Sequence, residues 1–216
     1  MTLDPFNNVF QVTANERNFV HGVPPECGDP NLSAIIGALG GKTFLHGLYR
    51  VLRSDRMDAA KAAMEKVFPE YRGRIVPFAF DWLGRHFAVD LARIEDGRPQ
   101  VLMLEIGAAE AMEIPASVAD FHNVELVEYA DDALSFPFWQ QWRASNPNDL
   151  SYSECVGYKV PLFLGGADEL ANLETIDLSV YVEICGQLRN KTRTLAAGQT
   201  ISRVFMSGSV KSDNQM

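Results

Sequence analysis

Cysteine is scarce in this chain. Cys27, Cys155 and Cys185 are odd in number, widely spaced and outside any C-x-x-C pattern, which argues against a disulfide framework and against a thiolate zinc site. Histidine is equally thin: His21, His46, His86 and His122 stand singly, with no H-x-x-x-H or H-E-x-x-H spacing, so no helix-borne metal site is indicated. Long apolar runs are missing as well. Runs such as Val101 to Leu104 and Val160 to Leu164 fall far short of the roughly 20 residues that span a bilayer. The start, Met1-Thr2-Leu3-Asp4, has no basic segment followed by an apolar one, and the expectation is a soluble cytoplasmic protein. There is no G-x-S-x-G elbow and no catalytic cysteine signature, so nothing starts a nucleophilic-enzyme reading. No catalytic residue, cofactor or metal is assigned.

Basic residues are scarce where acidic ones concentrate. Of the 216 residues 47% are hydrophobic, enough for a normal core, and the formal charge is −9. Residues 1–100 are balanced, whereas residues 101–150 hold nine acidic side chains against the single Arg143. Such a block excludes a basic nucleic-acid footprint and suits a basic partner steered in by carboxylates; the plain alternative is a solvated face that aids solubility. The candidate steering residues are Glu125, Glu128, Asp131 and Asp132. Trp139 and Trp142 beside them have the composition of interface anchors, although tryptophan is more often core.

The patterning predicts an α+β protein, mainly antiparallel sheet packed with helices. Thr43 to Leu52 reads as a strand apolar on both faces. A helix over 55–68 follows, entered at Ser54 and stopped by Pro69. Ile75 to Trp82 and Arg85 to Ile94 read as strands around Leu83-Gly84, and Glu95-Asp96-Gly97 carries a hairpin signal into a third strand, Gln100 to Ile106. Ser117 opens a short helix to Leu126. Leu134, Phe138 and Trp142 lie a turn apart, with Pro137 in the first turn of an aromatic helix. Asp177 caps a helix from Leu178 to Leu188 whose stripe is Leu178, Tyr181, Val182, Cys185 and Leu188, with Arg189, Lys191 and Arg193 at its negative end. The first 40 residues, with Gly22-Val23-Pro24-Pro25 and Gly28-Asp29-Pro30, read as an irregular lead-in. Residues 207–216 are polar and read as a disordered tail.

Two glycine pairs need weighing. Gly40-Gly41-Lys42-Thr43 resembles the end of a P-loop, but the first glycine would have to be residue 36, which is Ile36. The following residues also read as a strand instead of the helix whose first amides hold phosphate. Gly165-Gly166 reads as a turn with positive φ at Gly166, joining an apolar strand-like run to an amphipathic helix.

The runs Gly47-Leu48-Tyr49-Arg50, Phe78-Ala79-Phe80-Asp81-Trp82-Leu83-Gly84-Arg85 and Phe87-Ala88-Val89-Asp90 resemble a GAD-like domain. Phe138-Trp139, Tyr158 to Gly166, Asn172-Leu173-Glu174 and Tyr181 resemble the C-terminal domain of type VI secretion immunity proteins, with a broader likeness to the SUKH superfamily. The resemblance implies two closely joined domains, residues 1–128 and 129–206, before the tail 207–216. It also implies a non-enzymatic antitoxin that binds a cognate cytoplasmic DNase toxin through a basic surface, without touching nucleic acid or membrane. A SUKH-type adaptor or regulator is the alternative, and a small hydrolase a third.

Overall fold

The computed structural model describes residues 2–16 and 29–193. His21, Cys27, most of the lead-in turns and the polar end 207–216 lie outside the described residues.

Seven strands form one antiparallel meander in which each strand pairs with its sequence neighbour: β1 (Val12–Asn15), β2 (Lys42–Phe44), β3 (Tyr49–Val51), β4 (Ile75–Asp81), β5 (His86–Glu95), β6 (Arg98–Glu105) and β7 (Glu110–Ser117). The hairpin expected at Asp96-Gly97 is present, with both residues at positive φ (49° and 73°), the twist a tight two-residue hairpin needs. β4 is buried along its whole length, because helices cover both faces of the sheet. One face is closed by α1 (Asp4–Val9), α2 (Pro30–Leu39) and a helical stretch that begins at α4 (Val118–Asp120). Phe6, Ile35 and Phe121 from these pack on Phe78, Phe87 and Val101. The other face is closed by α3 (Met57–Val67) and the C-terminal helix Leu178–Thr192, whose Met64, Val182 and Cys185 pack on Ile75, Ala88 and Leu102.

The single strand expected over 43–52 is instead the β2–β3 hairpin. Leu45, His46 and Gly47 all take positive φ (48°, 63° and 103°), and the short 3₁₀ turn Leu45–Gly47 reverses the chain. Lys42-Thr43 therefore follows a helix and lies in a strand, the reverse of a P-loop. β1 and β7 carry no buried alternation of their own (β1 is exposed throughout), which is why they escape a reading by periodicity.

Ser117 does open the next helix: its Oγ accepts from Asp120 N (3.3 Å) and donates to the Asp120 carboxylate (2.6 Å). That helix widens into a π turn, Phe121–Glu125, before α5 (Leu126–Glu128). The extra residue turns both Phe121 and His122 inward, where His122 Nδ1 donates to Val118 O (2.8 Å) and Nε2 accepts from Tyr49 OH (3.0 Å). After α6 (Ala130–Leu134), Ser135 takes positive φ (50°) and starts α7 (Phe136–Ser145), with Pro137 in its first turn as expected.

The C-terminal part adds a two-stranded sheet, β8 (Glu154–Tyr158) and β9 (Leu173–Asp177), then α8 (Leu178–Thr192), capped by Asp177, which accepts from Ser179 N and Val180 N. The amphipathic helix expected after the glycine pair is not formed. A 3₁₀ turn, Leu170–Asn172, and β9 occupy that stretch, because Asn172 clamps the loop: its Nδ2 donates to Val160 O and Ala167 O and its Oδ1 accepts from Val160 N. Positive φ falls on Gly165 (86°), not Gly166. Gly166 is required by close approach, since a Cβ there would lie 1.8 Å from Val160 O. Gly165→Ala, with open space at its Cβ, should cost about 1 kcal/mol for the left-handed backbone. Gly166→Ala should cost roughly 2–3 kcal/mol by overpacking, and equal denaturant midpoints for the two variants would contradict this division.

His86 and His122 are both buried, and burial lowers each pKa to about 4. The unfolded chain, titrating near 6.5, then binds more protons than the native one as pH drops. Their contribution is complete above about pH 6.5 and is lost as pH falls toward 4, roughly 3 kcal/mol for each histidine. The urea midpoint should therefore fall steeply between pH 7 and pH 4.5. A flat profile across that window would show that the rings take up protons as readily in the fold as in the unfolded chain.

Candidate partner-binding surface

The turn between β4 and β5 carries the polar heart of the molecule. Asp81 is fully buried; its Oδ1 accepts from Leu83 N and Arg85 N, each at 3.0 Å, and its Oδ2 accepts from Arg85 Nε at 2.6 Å. Burial raises the Asp81 pKa above the usual carboxylate range, opposed by the Arg85 guanidinium and its backbone N–H. The rest of that guanidinium donates to Ser135 Oγ (3.2 Å) and Ala133 O (3.3 Å). Trp82 Nε1 donates to Leu134 O (2.9 Å), and Val156 N donates to Trp82 O (2.7 Å). Arg50, buried beside Phe80, donates to Asp81 O, Ser151 O and Glu154 O. One five-residue turn thus fixes α6 and β8 to the sheet.

This anchoring decides what the acidic segment presents. Glu128, Asp131 and Asp132 are exposed and Glu125 is half-buried. Among the described residues none of the four is in an ion pair, whereas Glu113, Asp120 and Asp149 of the same acidic block are engaged with Arg93, Arg98 and Arg143. Trp139 and Trp142 do not join this surface. At 4% and 5% exposure they stack on each other (5.4 Å) and against Trp82 (5.4 and 6.1 Å), so their role as anchors is replaced by one as core. Pro137 and the strained Ser135 turn α7 so that this face points inward.

The exposed apolar groups on the acidic stretch are Tyr129 (50%) and Val124 (38%). Sequence reasoning passed over Tyr129, although an aromatic with a polar tip between Glu128 and Asp131 is itself a signal of an interface.

Cys155 and Cys185 are buried free thiols. Burial pushes the Cys185 thiol up to about 12 and Cys155 higher still, so neither is a nucleophile. Among the described residues no group of three or more His, Cys, Asp or Glu side chains is placed to hold a metal. Nor is any helix among them long and apolar enough to cross a membrane.

Residues 117–189 match the family model described as T6SS immunity protein Tdi1, C-terminal. The match begins at the Ser117 cap and ends in the last turns of α8, and supports a type VI immunity protein. The fold resembles the crystal structure of Atu4351 from Agrobacterium tumefaciens, with a TM-score of 0.55 and 14% identity over 86% of this chain and 89% of that one. At that identity the likeness concerns the fold alone. No curated protein matches the chain.

Removing either side chain would leave the other buried without its counter-charge. Arg85→Ala and Asp81→Asn should each cost about 3–5 kcal/mol. Equilibrium denaturation of the two variants measures this, and a harmless Arg85→Ala would remove the turn from its central place.

Proposed function

We propose that the chain is a type VI immunity protein that neutralises a nuclease effector, a DNase, by direct binding in the cytoplasm. The observation that carries this reading is the free acidic face. Glu125, Glu128, Asp131 and Asp132 all lie inside the segment matched to the immunity family, and none is in an ion pair within the described residues. A surface that cleaves DNA is positive, because it must hold phosphates. Unpaired carboxylates carried on helices held to a rigid sheet compete for such a surface without reorganising. Tyr129 and Val124 add exposed apolar area on the same stretch, the usual composition of an anchor with a polar surround. A GAD-like N-terminal part supports this face through the Asp81–Arg85 turn.

Reversing Glu125, Glu128, Asp131 and Asp132 together to lysine should slow association with the effector by about tenfold or more at low salt and change dissociation less. The contrast should shrink as salt rises. The check is surface plasmon resonance with a candidate DNase effector, such as any encoded by a neighbouring gene, paired with survival and DNA integrity on co-expression. Unchanged association rates would reduce the acidic face to a solubility feature. Absence of any complex with a linked toxin would favour a SUKH-type regulator.

A further inference from the structure

α3 and α8 run in the same direction and do not pack along their whole lengths. They touch toward their C-terminal ends, where a Cβ on Gly186 would lie 3.1 Å from Val67 Cγ2 and where Arg189 donates to Val67 O. Between their first turns the space is open. A cleft of about 600 Å³ lies there, walled by Ala59, Ala60 and Ala63 of α3, by Leu178 and Val182 of α8, and by Phe80. Its size is that of a ligand site. The alanines make the room, since any larger side chain in that row would fill it.

His86 also lines this cleft and is 3% exposed. Its Nδ1 is 2.9 Å from Gly84 O. A carbonyl only accepts, so Nδ1 carries the proton and Nε2 of the neutral ring is a lone-pair acceptor. Nε2 has no hydrogen-bond partner among the described residues. The other polar groups nearby are largely satisfied by their own neighbours: Tyr152 OH donates to Val51 O and accepts from Arg53 N, Arg53 holds Asp55, and Asp177 caps α8. Nε2 thus opens onto the apolar floor of a cleft whose rim carries Glu16, Arg53, Arg56 and Glu183, and a donor reaching it would make a hydrogen bond that the described residues do not supply.

We infer that this cleft is a binding site for an aromatic side chain bearing one N–H or O–H donor, a tryptophan or tyrosine presented by a protein partner. The ring would lie on the alanine row and Val182, and its donor would reach His86 Nε2. Such residues combine a large apolar body with a single polar tip, which is the complement of this cleft, and they dominate binding energy where they are fully desolvated. Phenylalanine would fill the space but leave the acceptor unpaired. A phosphate or carboxylate would be drawn to Arg53 and Arg56 at the rim and would bring a second acceptor, not a donor, to Nε2. The inference stands on the cleft alone and goes beyond the acidic face.

The test uses the full chain and two probes, N-acetyl-tryptophanamide and its 1-methylindole analogue, which keeps the ring and loses the donor. NMR titration should shift the His86 Nε2 resonance and the amides of Ala59 and Val182, with the methylated probe bound about fivefold or more weakly, the worth of one net hydrogen bond. Ala59→Leu, on an exposed position, should abolish these shifts while leaving the melting temperature unchanged. Equal affinity for the two probes, shifts away from the cleft, or undiminished binding to Ala59→Leu would each overturn the inference. The probes require no effector, so this result is independent of whether the chain neutralises a nuclease.

Discussion

A buried ion pair between Asp81 and Arg85 is the constraint on which the arrangement depends. The carboxylate accepts three hydrogen bonds within a single turn, and the guanidinium spends its remaining donors on Ala133 and Ser135 at the junction of α6 and α7. Desolvating two charges is expensive and is repaid only when every donor and lone pair finds a partner. Here the partners belong to distant parts of the chain, so the pair fixes how the helical region sits on the sheet. Arg50 adds to this frame by holding the 151–154 loop through its terminal nitrogens.

The consequence is a continuous core. Leu134, Trp139, Trp142 and Val156 pack in the same cluster as Phe44, Phe78 and Phe87, so the residues on either side of position 128 share one interior. The acidic stretch is displayed on this frame from the outside, with Glu125, Glu128, Asp131 and Asp132 in no ion pair among the described residues and Tyr129 among them. The geometry separates two jobs that the composition alone runs together: tryptophans stabilise the face, and tyrosine with the carboxylates presents it.

Much of the fold was legible where patterning is strong. The β4–β5–β6 meander, the Ser117 cap, the Asp177-capped helix and the position of Pro137 follow from alternation, turn residues and caps, which act locally. What failed was governed by longer-range contacts. The 43–52 stretch is apolar on both faces, and its reversal depends on non-glycine residues, Leu45 and His46, held at positive φ by the surrounding structure. The chain after Gly166 has helical spacing, yet Asn172 and the pairing of β9 with β8 draw it into a strand. The acidic block was visible as composition, but which carboxylates stay unpaired depends on Arg93, Arg98 and Arg143, whose positions no local pattern reveals. The cleft beside His86 left no sequence signal, because its walls come from two helices and a strand far apart in the chain.

The central claim is that the matched segment 117–189 and the seven-stranded sheet form one cooperative unit, so that the proposed binding face exists only in the intact chain. Native-state hydrogen exchange in increasing denaturant tests it most directly. Amides of β4 to β6 and of β8 and α8 should merge onto a single unfolding isotherm with the same free energy and denaturant dependence. Exchange of β8 and α8 through a separate, lower-energy opening, while the sheet stays protected, would contradict it.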